Sequence, residues 1–273
     1  MQSLRAFLIL SSFFAFTFPL MPVQLALLAL NSRHARTFPH WYHRNVCRLL
    51  GIRIHTYGEL ARDKPILVVA NHVSWLDIPV LSAVGPVSFV AKKEVASWPF
   101  VSWLAKLQRS VFVDRTRRSG TRRTAGEIAK RLTDGDAIVL FAEGTSSDGN
   151  CVKPFKTALF AAAEFGSDEN AEYCNVIYAQ TLALVYTHRH GLPLGRRGRS
   201  SVAWFGDKEL ASHAWSLLKG GPLDVHVKIS EPVDLRQFQD RKSLALYSES
   251  RVRDDVISLI SSRGRRATRP QES

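Results

Sequence analysis

Residues 6–30 contain no charged side chain, a run of 25 positions at the start of the chain. A helix of roughly 20 apolar residues is enough to cross the hydrocarbon of a bilayer, so this run restricts what the rest can build. A secretory leader fits poorly. Its positive start is Arg5 alone, the apolar part is too long, and no small-x-small cleavage site follows. The other reading is a buried core helix of a soluble protein. Pro19 and Pro22 interrupt the run, and each removes a backbone donor. Two forms of anchor are therefore expected: one kinked span, or two short helices that dip into one leaflet. The flank that follows carries Arg33, Arg36, Arg44 and Arg48, with His34, His40 and His43 among them. By the positive-inside rule that flank, and with it the rest of the chain, is expected on the cytoplasmic side of the membrane. Residues 37–50 read as an amphipathic helix at the interface, with Trp41 and Tyr42 at headgroup depth.

Beyond residue 50 the pattern alternates. Strands are expected at 52–57, 66–70, 87–91, 111–114, 137–142, 176–186, 201–205 and 224–229. Helices are expected from about Asp77 and at 94–107, 121–132, 155–165 and 241–261. This alternation predicts an α/β fold: a mostly parallel central sheet flanked by helices, behind an N-terminal helical membrane anchor. The parts are an anchor with its interfacial helix at 1–50, one domain at 51–261, and a basic tail at 262–273 expected to be disordered.

The chain of 273 residues has a net charge of +13, which favours a polyanionic partner: nucleic acid, an anionic bilayer face, or an acidic co-substrate. Cys47, Cys151 and Cys174 are widely spaced with no CxxC, so they give no zinc signature and are expected to be buried thiols. No metal site and no resident cofactor are expected.

Three polar segments sit where predicted strands end. The first is Asn71-His72, with Asp77 five positions on. Five residues of regular helix would put the two side chains on different faces. They meet only if His72 is in the loop and Asp77 in the first helical turn. Asp77 would then hold Nδ1–H of the imidazole and leave Nε2 free to take a proton. The plainer reading has His72 packed beneath the sheet and Asp77 capping the helix. The second segment is Glu143-Gly144-Thr145-Ser146-Ser147-Asp148-Gly149, followed by Lys153 and Lys156. Glycine lets a ligand approach the backbone, whose N–H groups could hold an oxyanion, and the lysines could meet an anion. The plainer reading is a turn with a solvated Glu. The segment is not a hydrolase nucleophile elbow, since Asp148 stands where that motif needs glycine, and no Gly-Lys-Ser/Thr marks a P-loop. The third is Val111-Phe112-Val113-Asp114-Arg115, with Arg117, Arg118, Arg122 and Arg123 behind it. Arg115 could point into the same crevice, whereas the others suit a solvated or membrane-facing surface.

Taken in order over residues 66–233, these segments resemble the glycerolipid (lysophospholipid) acyltransferase family, of which 1-acylglycerol-3-phosphate acyltransferase is the best-known member. Its NHxxxxD block is met by Asn71, His72 and Asp77, and its second block by residues 111–115. Its third block is met by Phe141, Glu143, Gly144, Thr145, Pro154, Phe155 and Lys156. The resemblance implies that His72, oriented by Asp77 and with Asn71 beside it, takes the proton of a lipid hydroxyl. That oxygen attacks the thioester of acyl-CoA or an acyl carrier protein, both acidic co-substrates. Arg115, Glu143, Gly144, Thr145, Ser146, Lys153 and Lys156 would then handle acceptor and donor. Two positions depart from the family pattern. Ala142 replaces a proline, and Ser146 stands where phosphate-handling members carry arginine. An arginine fork grips phosphate bidentately and serine does not. Residues 143–149, 191–196 and 203–207 are most similar to the bacterial branch that O-acylates lyso-ornithine lipid. A glycerophosphate acceptor stays open, because Arg115, Lys153 or Lys156 could bind phosphate. Two other readings are a thioester hydrolase and a non-enzymatic basic protein binding membrane or nucleic acid; no recognition helix or aromatic-basic RNA motif supports the latter.

Overall fold

The computed structural model describes residues 1–62, 64–113, 118–161 and 177–261. The apolar run forms one helix, α1 (Gln2–Ala29), unbroken through both prolines. Pro19 and Pro22 lie three residues apart and are exposed. The two backbone bonds they remove therefore fall together on the side turned away from the protein. On its other side α1 is tied down along its length. Thr17 Oγ1 lies 2.8 Å from the Tyr42 hydroxyl, and Gln24 Nε2 donates to the carbonyls of Ala35 (3.0 Å) and Leu107 (2.9 Å). Phe16 stacks on Tyr42, while Phe13, Phe14 and Phe18 surround Phe100. Helix α2 (His34–Leu50) begins three residues earlier than the pattern suggested and stops at Gly51, whose φ of 72° supplies a left-handed cap.

The sheet follows the order β1 (Ile52–Tyr57), β8 (Leu223–Ile229), β6 (Tyr178–Arg189), β2 (Ile66–Ala70), β5 (Ala137–Phe141), β3 (Val87–Lys92), β4 (Val111–Val113). All neighbours on this path are parallel except β6 and β8. Two short strands, β7 (Leu192–Pro193) and β9 (Val233–Asp234), add antiparallel pairs to β6. The sheet is thus mostly parallel, as expected, with every antiparallel pairing among the described residues made by β6.

Strand β2 is at the centre. Each of its five side chains is 0–1% exposed, which is why it reads as a continuous apolar run rather than an alternating one. Ile66, Val68 and Ala70 join a core layer with Cys47 of α2, Val80 and Leu81 of α3 (Asp77–Val84), and Leu217 of α7 (Leu210–Gly220). Leu67 and Val69 join the opposite layer with Ile128 and Leu132 of α5 (Arg118–Thr133) and Leu244, Val252 and Val256 of α8 (Arg241–Ile260). Each fully buried aliphatic side chain contributes about 1.5–3 kcal/mol relative to exposure.

Three local expectations are corrected. The helix expected over 94–107 is a 3-10 turn (Lys93–Ser97) and α4 (Val101–Leu107), divided at Pro99. Proline pushes the residue before it out of the helical region, and Trp98 has ψ 124°. The strand expected at 201–205 is the end of helix α6 (Arg196–Val202) and an extended segment. Val202 and Ala203 are buried there by packing, which a short apolar run cannot distinguish from a strand. Of the helix expected at 155–165, Thr157–Phe160 form a 3-10 turn, Ala161 is helical, and 162–165 lie outside the described residues. Cys47 is buried as expected; Cys151 is exposed, on a polar loop with its thiol donating to Asp148; Cys174 lies outside the described residues.

Gly58 closes the edge of the sheet after β1 at φ +81°, and an added Cβ would sit 2.3 Å from the Ile229 carbonyl oxygen. Gly58→Ala is expected to destabilise the domain by about 1–3 kcal/mol, from backbone strain at a position that cannot relax. A thermal midpoint equal to that of the parent would show that the β1–β8 end can shift.

Candidate active site

Register brings the first and second polar segments together. Ala70 pairs with Phe141 across β2 and β5, so His72 and Glu143, each two residues further on, leave the sheet side by side. The two motifs lie 71 residues apart in sequence, and the Glu143 carboxylate bridges them directly. Its Oε1 accepts from the N–H of His72 at 2.8 Å and its Oε2 from the N–H of Lys153 at 2.9 Å. Glu143 is 1% exposed and acts as a strut between the loops, not as a solvated turn residue. Burial pushes its carboxyl up to about 7, against the pull of those two N–H groups and of the His72 and Lys153 charges. Gly144, at φ +71°, closes a turn by donating its N–H to the Phe141 carbonyl at 3.0 Å. Ser147 N–H donates to the His72 carbonyl at 2.8 Å, so the glycine loop wraps directly round the histidine.

His72 and Asp77 meet. Nδ1 of His72 lies 2.8 Å from Oδ2 of Asp77, with the histidine in the loop and the acid in the first turn of α3. The carboxylate also accepts from the N–H groups of Val73 (2.6 Å) and Ser74 (2.9 Å), which lie ahead of the helix rather than within it. The capping reading is therefore not what forms. Because a carboxylate only accepts, Nδ1 carries the proton and Nε2 presents a lone pair. Nε2 has no hydrogen-bond partner among the described residues, and the imidazole lies flat on Phe141 at 4.1 Å. The His72 side chain is 19% exposed while that of Asp77 is 0% exposed, so the ring alone reaches the surface.

Asn71 points the other way. Its Nδ2 donates to the Leu184 carbonyl (3.0 Å) and its Oδ1 accepts from the Leu184 N–H (2.8 Å), so the amide extends the β2–β6 pairing past the end of the strand. Ser146 is buried, and its hydroxyl donates to the Trp204 carbonyl. Lys153 Nζ donates to the Ser146 carbonyl at 2.7 Å, whereas Thr145 and Lys156 are exposed on the rim. Arg115 lies outside the described residues. Among the described residues no group of three or more His, Cys, Asp or Glu could hold a metal ion.

Two contributors were not legible. Tyr186 of β6 donates its hydroxyl to Asp77 Oδ1 at 2.9 Å; in sequence it only ends an apolar run. The other is the packing of the segment around α6, whose residues 191–196 and 203–207 carry a family resemblance but no sign of these contacts. Trp204 N–H donates to the Val73 carbonyl at 2.9 Å, and Asn150 bonds Arg199 and Ser200, so this segment walls both loops.

Residues 51–169 match the sequence family described as Acyltransferase. The chain is 48% identical over 251 residues to the lyso-ornithine lipid O-acyltransferase of Brucella abortus, covering 92% of this chain and 93% of that protein. The chain belongs to the acyltransferase family. It is also 43% identical over 250 residues to the lyso-ornithine lipid O-acyltransferase of Rhizobium meliloti, covering 92% of this chain and 85% of that protein. It is 32% identical over 212 residues to the 1-acyl-sn-glycerol-3-phosphate acyltransferase of Neisseria meningitidis, covering 77% of each. The acyltransferase also shares its fold with the crystal structure of the 1-acyl-sn-glycerophosphate acyltransferase PlsC of Thermotoga maritima. That match has a TM-score of 0.66 at 23% identity and covers 95% of this chain and 98% of the other.

Replacing Glu143 by glutamine turns one acceptor oxygen into a donor that faces a backbone N–H. The variant is expected to lose about 1–3 kcal/mol and to be less active, read as a lower thermal midpoint and a lower initial rate. The carboxyl is raised in the folded chain, so it keeps a proton there that the unfolded chain has released. Stability of the parent should therefore fall as pH rises from about 4.5 to about 7. Glu143→Gln should remove that part of the slope, and an unchanged slope would assign it to other groups.

Proposed function

We propose that this acyltransferase moves a fatty acyl group from an acyl-CoA or acyl carrier protein thioester to the free hydroxyl of a lysolipid, with lyso-ornithine lipid as the principal acceptor. The observation that carries the chemistry is the 2.8 Å contact of His72 Nδ1 with Asp77, which leaves Nε2 open beside the glycine turn. Nε2 takes the hydroxyl proton as the oxygen attacks the thioester carbonyl. The tetrahedral oxyanion is met by backbone N–H groups near the glycine turn other than that of Gly144, which is donated to Phe141. The C–S bond then breaks, and the departing thiolate takes the proton from the imidazolium. No acyl-enzyme forms, and the thioester is a co-substrate rather than a resident cofactor. Asn71 and Glu143 serve as positioning residues.

The acceptor assignment rests on the names of the two most similar relatives quoted above and on Ser146, whose neutral hydroxyl is already donated to Trp204. The half-buried Lys153 and exposed Lys156 favour a second reading, a glycerophosphate acceptor, in keeping with the Neisseria relative. Arg115 belongs to the same proposed binding set.

For the membrane, α1 is long and apolar enough to cross a bilayer, and only 11% of its apolar window is buried. Gln24 donates to Leu107 and Phe13, Phe14 and Phe18 pack round Phe100, which hold α1 against the domain, so a full crossing would draw polar parts of the domain into hydrocarbon. We infer that α1 and α2 dip into one leaflet, with Leu4, Phe7, Leu8, Phe18 and Leu25 among the acyl chains. The arginines of the α1–α2 flank support the cytoplasmic leaflet of the inner membrane as the one it enters.

His72→Ala is expected to lower product formation by about 10² to 10⁴ while the protein keeps its unfolding midpoint and stays in the membrane fraction. Full turnover by that variant would remove His72 from the role of base. With purified enzyme and both acceptors at equal surface concentration, lyso-ornithine lipid is expected to be acylated faster than lysophosphatidic acid. The reverse order would move the assignment to the glycerophosphate reading.

A further inference from the structure

Tyr186 is 2% exposed and among the largest fully buried side chains of the domain. Its one hydroxyl proton goes to Asp77 Oδ1 at 2.9 Å. Spacing along β6 puts Leu182, Leu184 and Tyr186 on the same face, and the backbone of Leu184 is the group that Asn71 grips. Directly after Tyr186 the pairing with β8 slips, from Tyr186 opposite Val225 to His188 opposite Asp224, which leaves Thr187 as an extra residue. Bulges of this kind re-aim side chains and are frequent beside active sites. Here the bulge follows the residue whose side chain reaches the carboxylate behind the imidazole.

The four donors on Asp77 are unevenly placed. Oδ2 receives the His72 ring and the N–H groups of Val73 and Ser74, all from one loop. Oδ1 receives Tyr186 alone, from a different element, and no other hydrogen bond to Oδ1 occurs among the described residues. Without the hydroxyl, that oxygen would be buried and unsatisfied, and the carboxylate plane could turn about its own Cβ–Cγ bond.

We propose that Tyr186 is a positioning residue for the acyl transfer, fixing the Asp77 carboxylate plane so that its other oxygen aims the His72 imidazole at the acceptor hydroxyl. This rests on the reading of His72 as the base. Tyr186 does not touch substrate. Burial and the neighbouring Asp77 charge push its hydroxyl well above the usual tyrosine range, so it remains a donor throughout the working pH range. Among the described residues the titratable groups that act on Tyr186 are Asp77 and the Cys47 thiol of α2, with His72 on the other oxygen of Asp77 and Glu143 behind His72.

The test is Tyr186→Phe in the full-length enzyme. Turnover number is expected to fall roughly tenfold, the scale of one hydrogen bond to a charged group, with KM for the acceptor unchanged. The carboxylate, short of one donor, should hold the imidazolium more strongly. The acid limb of the kcat/KM profile should therefore move to higher pH by about half a unit. The downfield proton resonance of His72 Nδ1–H, assigned by its loss in His72→Ala, should move as well. Placing 3-fluorotyrosine at 186 keeps the ring and strengthens the donor, so it should shift the acid limb the opposite way, even if the phenylalanine variant folds poorly. An unmoved resonance together with an unmoved acid limb in both variants overturns the proposal. Should His72→Ala turn over normally, the base assignment falls separately, and the resonance still decides whether Tyr186 sets the imidazole.

Discussion

The Asp77 carboxylate is where three parts of the chain are tied to one point. It takes the imidazole and two N–H groups from the loop after β2, it opens α3, and it accepts the hydroxyl of Tyr186 from β6. A fully buried carboxylate is tolerated only with its lone pairs met. Meeting them forces the loop to curl back over the start of α3, and that curl lifts His72 out of the core. The polar residue at the bottom of the site thus dictates the geometry of the one at the top.

The sheet makes this arrangement rigid. Strand β2 is bonded on both sides to parallel neighbours, with Ala70 opposite Phe141 on one and Leu182 on the other. Asn71 prolongs the ladder on the β6 side and Glu143 spans the gap on the β5 side, so the backbone of His72 is held from left and right by side chains that need not meet substrate. The Trp204 backbone closes the third side through Val73 and Ser146.

Most of this fold is visible in the amino-acid order. The β2 run is apolar throughout because both its faces are covered, and Pro79 within the first turn of α3 fits a helix starting at Asp77. Spacing permits the His72–Asp77 pairing once loop and helix are placed, and the family resemblance, not spacing, favours it over a helix cap. Other features are hidden for physical reasons. Glu143 looks like a loop acid, because nothing local shows that its partners are backbone N–H groups, one of them 71 residues away. Tyr186 looks like one more member of a buried strand, since a single hydroxyl leaves no trace in hydrophobic periodicity. The segment at 201–205 misleads because burial by neighbours, not strand pairing, explains its apolar residues.

The paired exit of β2 and β5 has an evolutionary side. The loops after β2 and β5 that carry the proposed reaction centre are set by hydrogen bonding between adjacent strands, so the long excursion that follows the first turn of α3, through β3, α4, β4 and α5, does not determine their separation. Insertions, deletions or reshaped surfaces in that excursion can accumulate while the centre stays in place. A lineage built on this scaffold is thereby free to exchange one hydrophobic clientele for another without reinventing its chemistry.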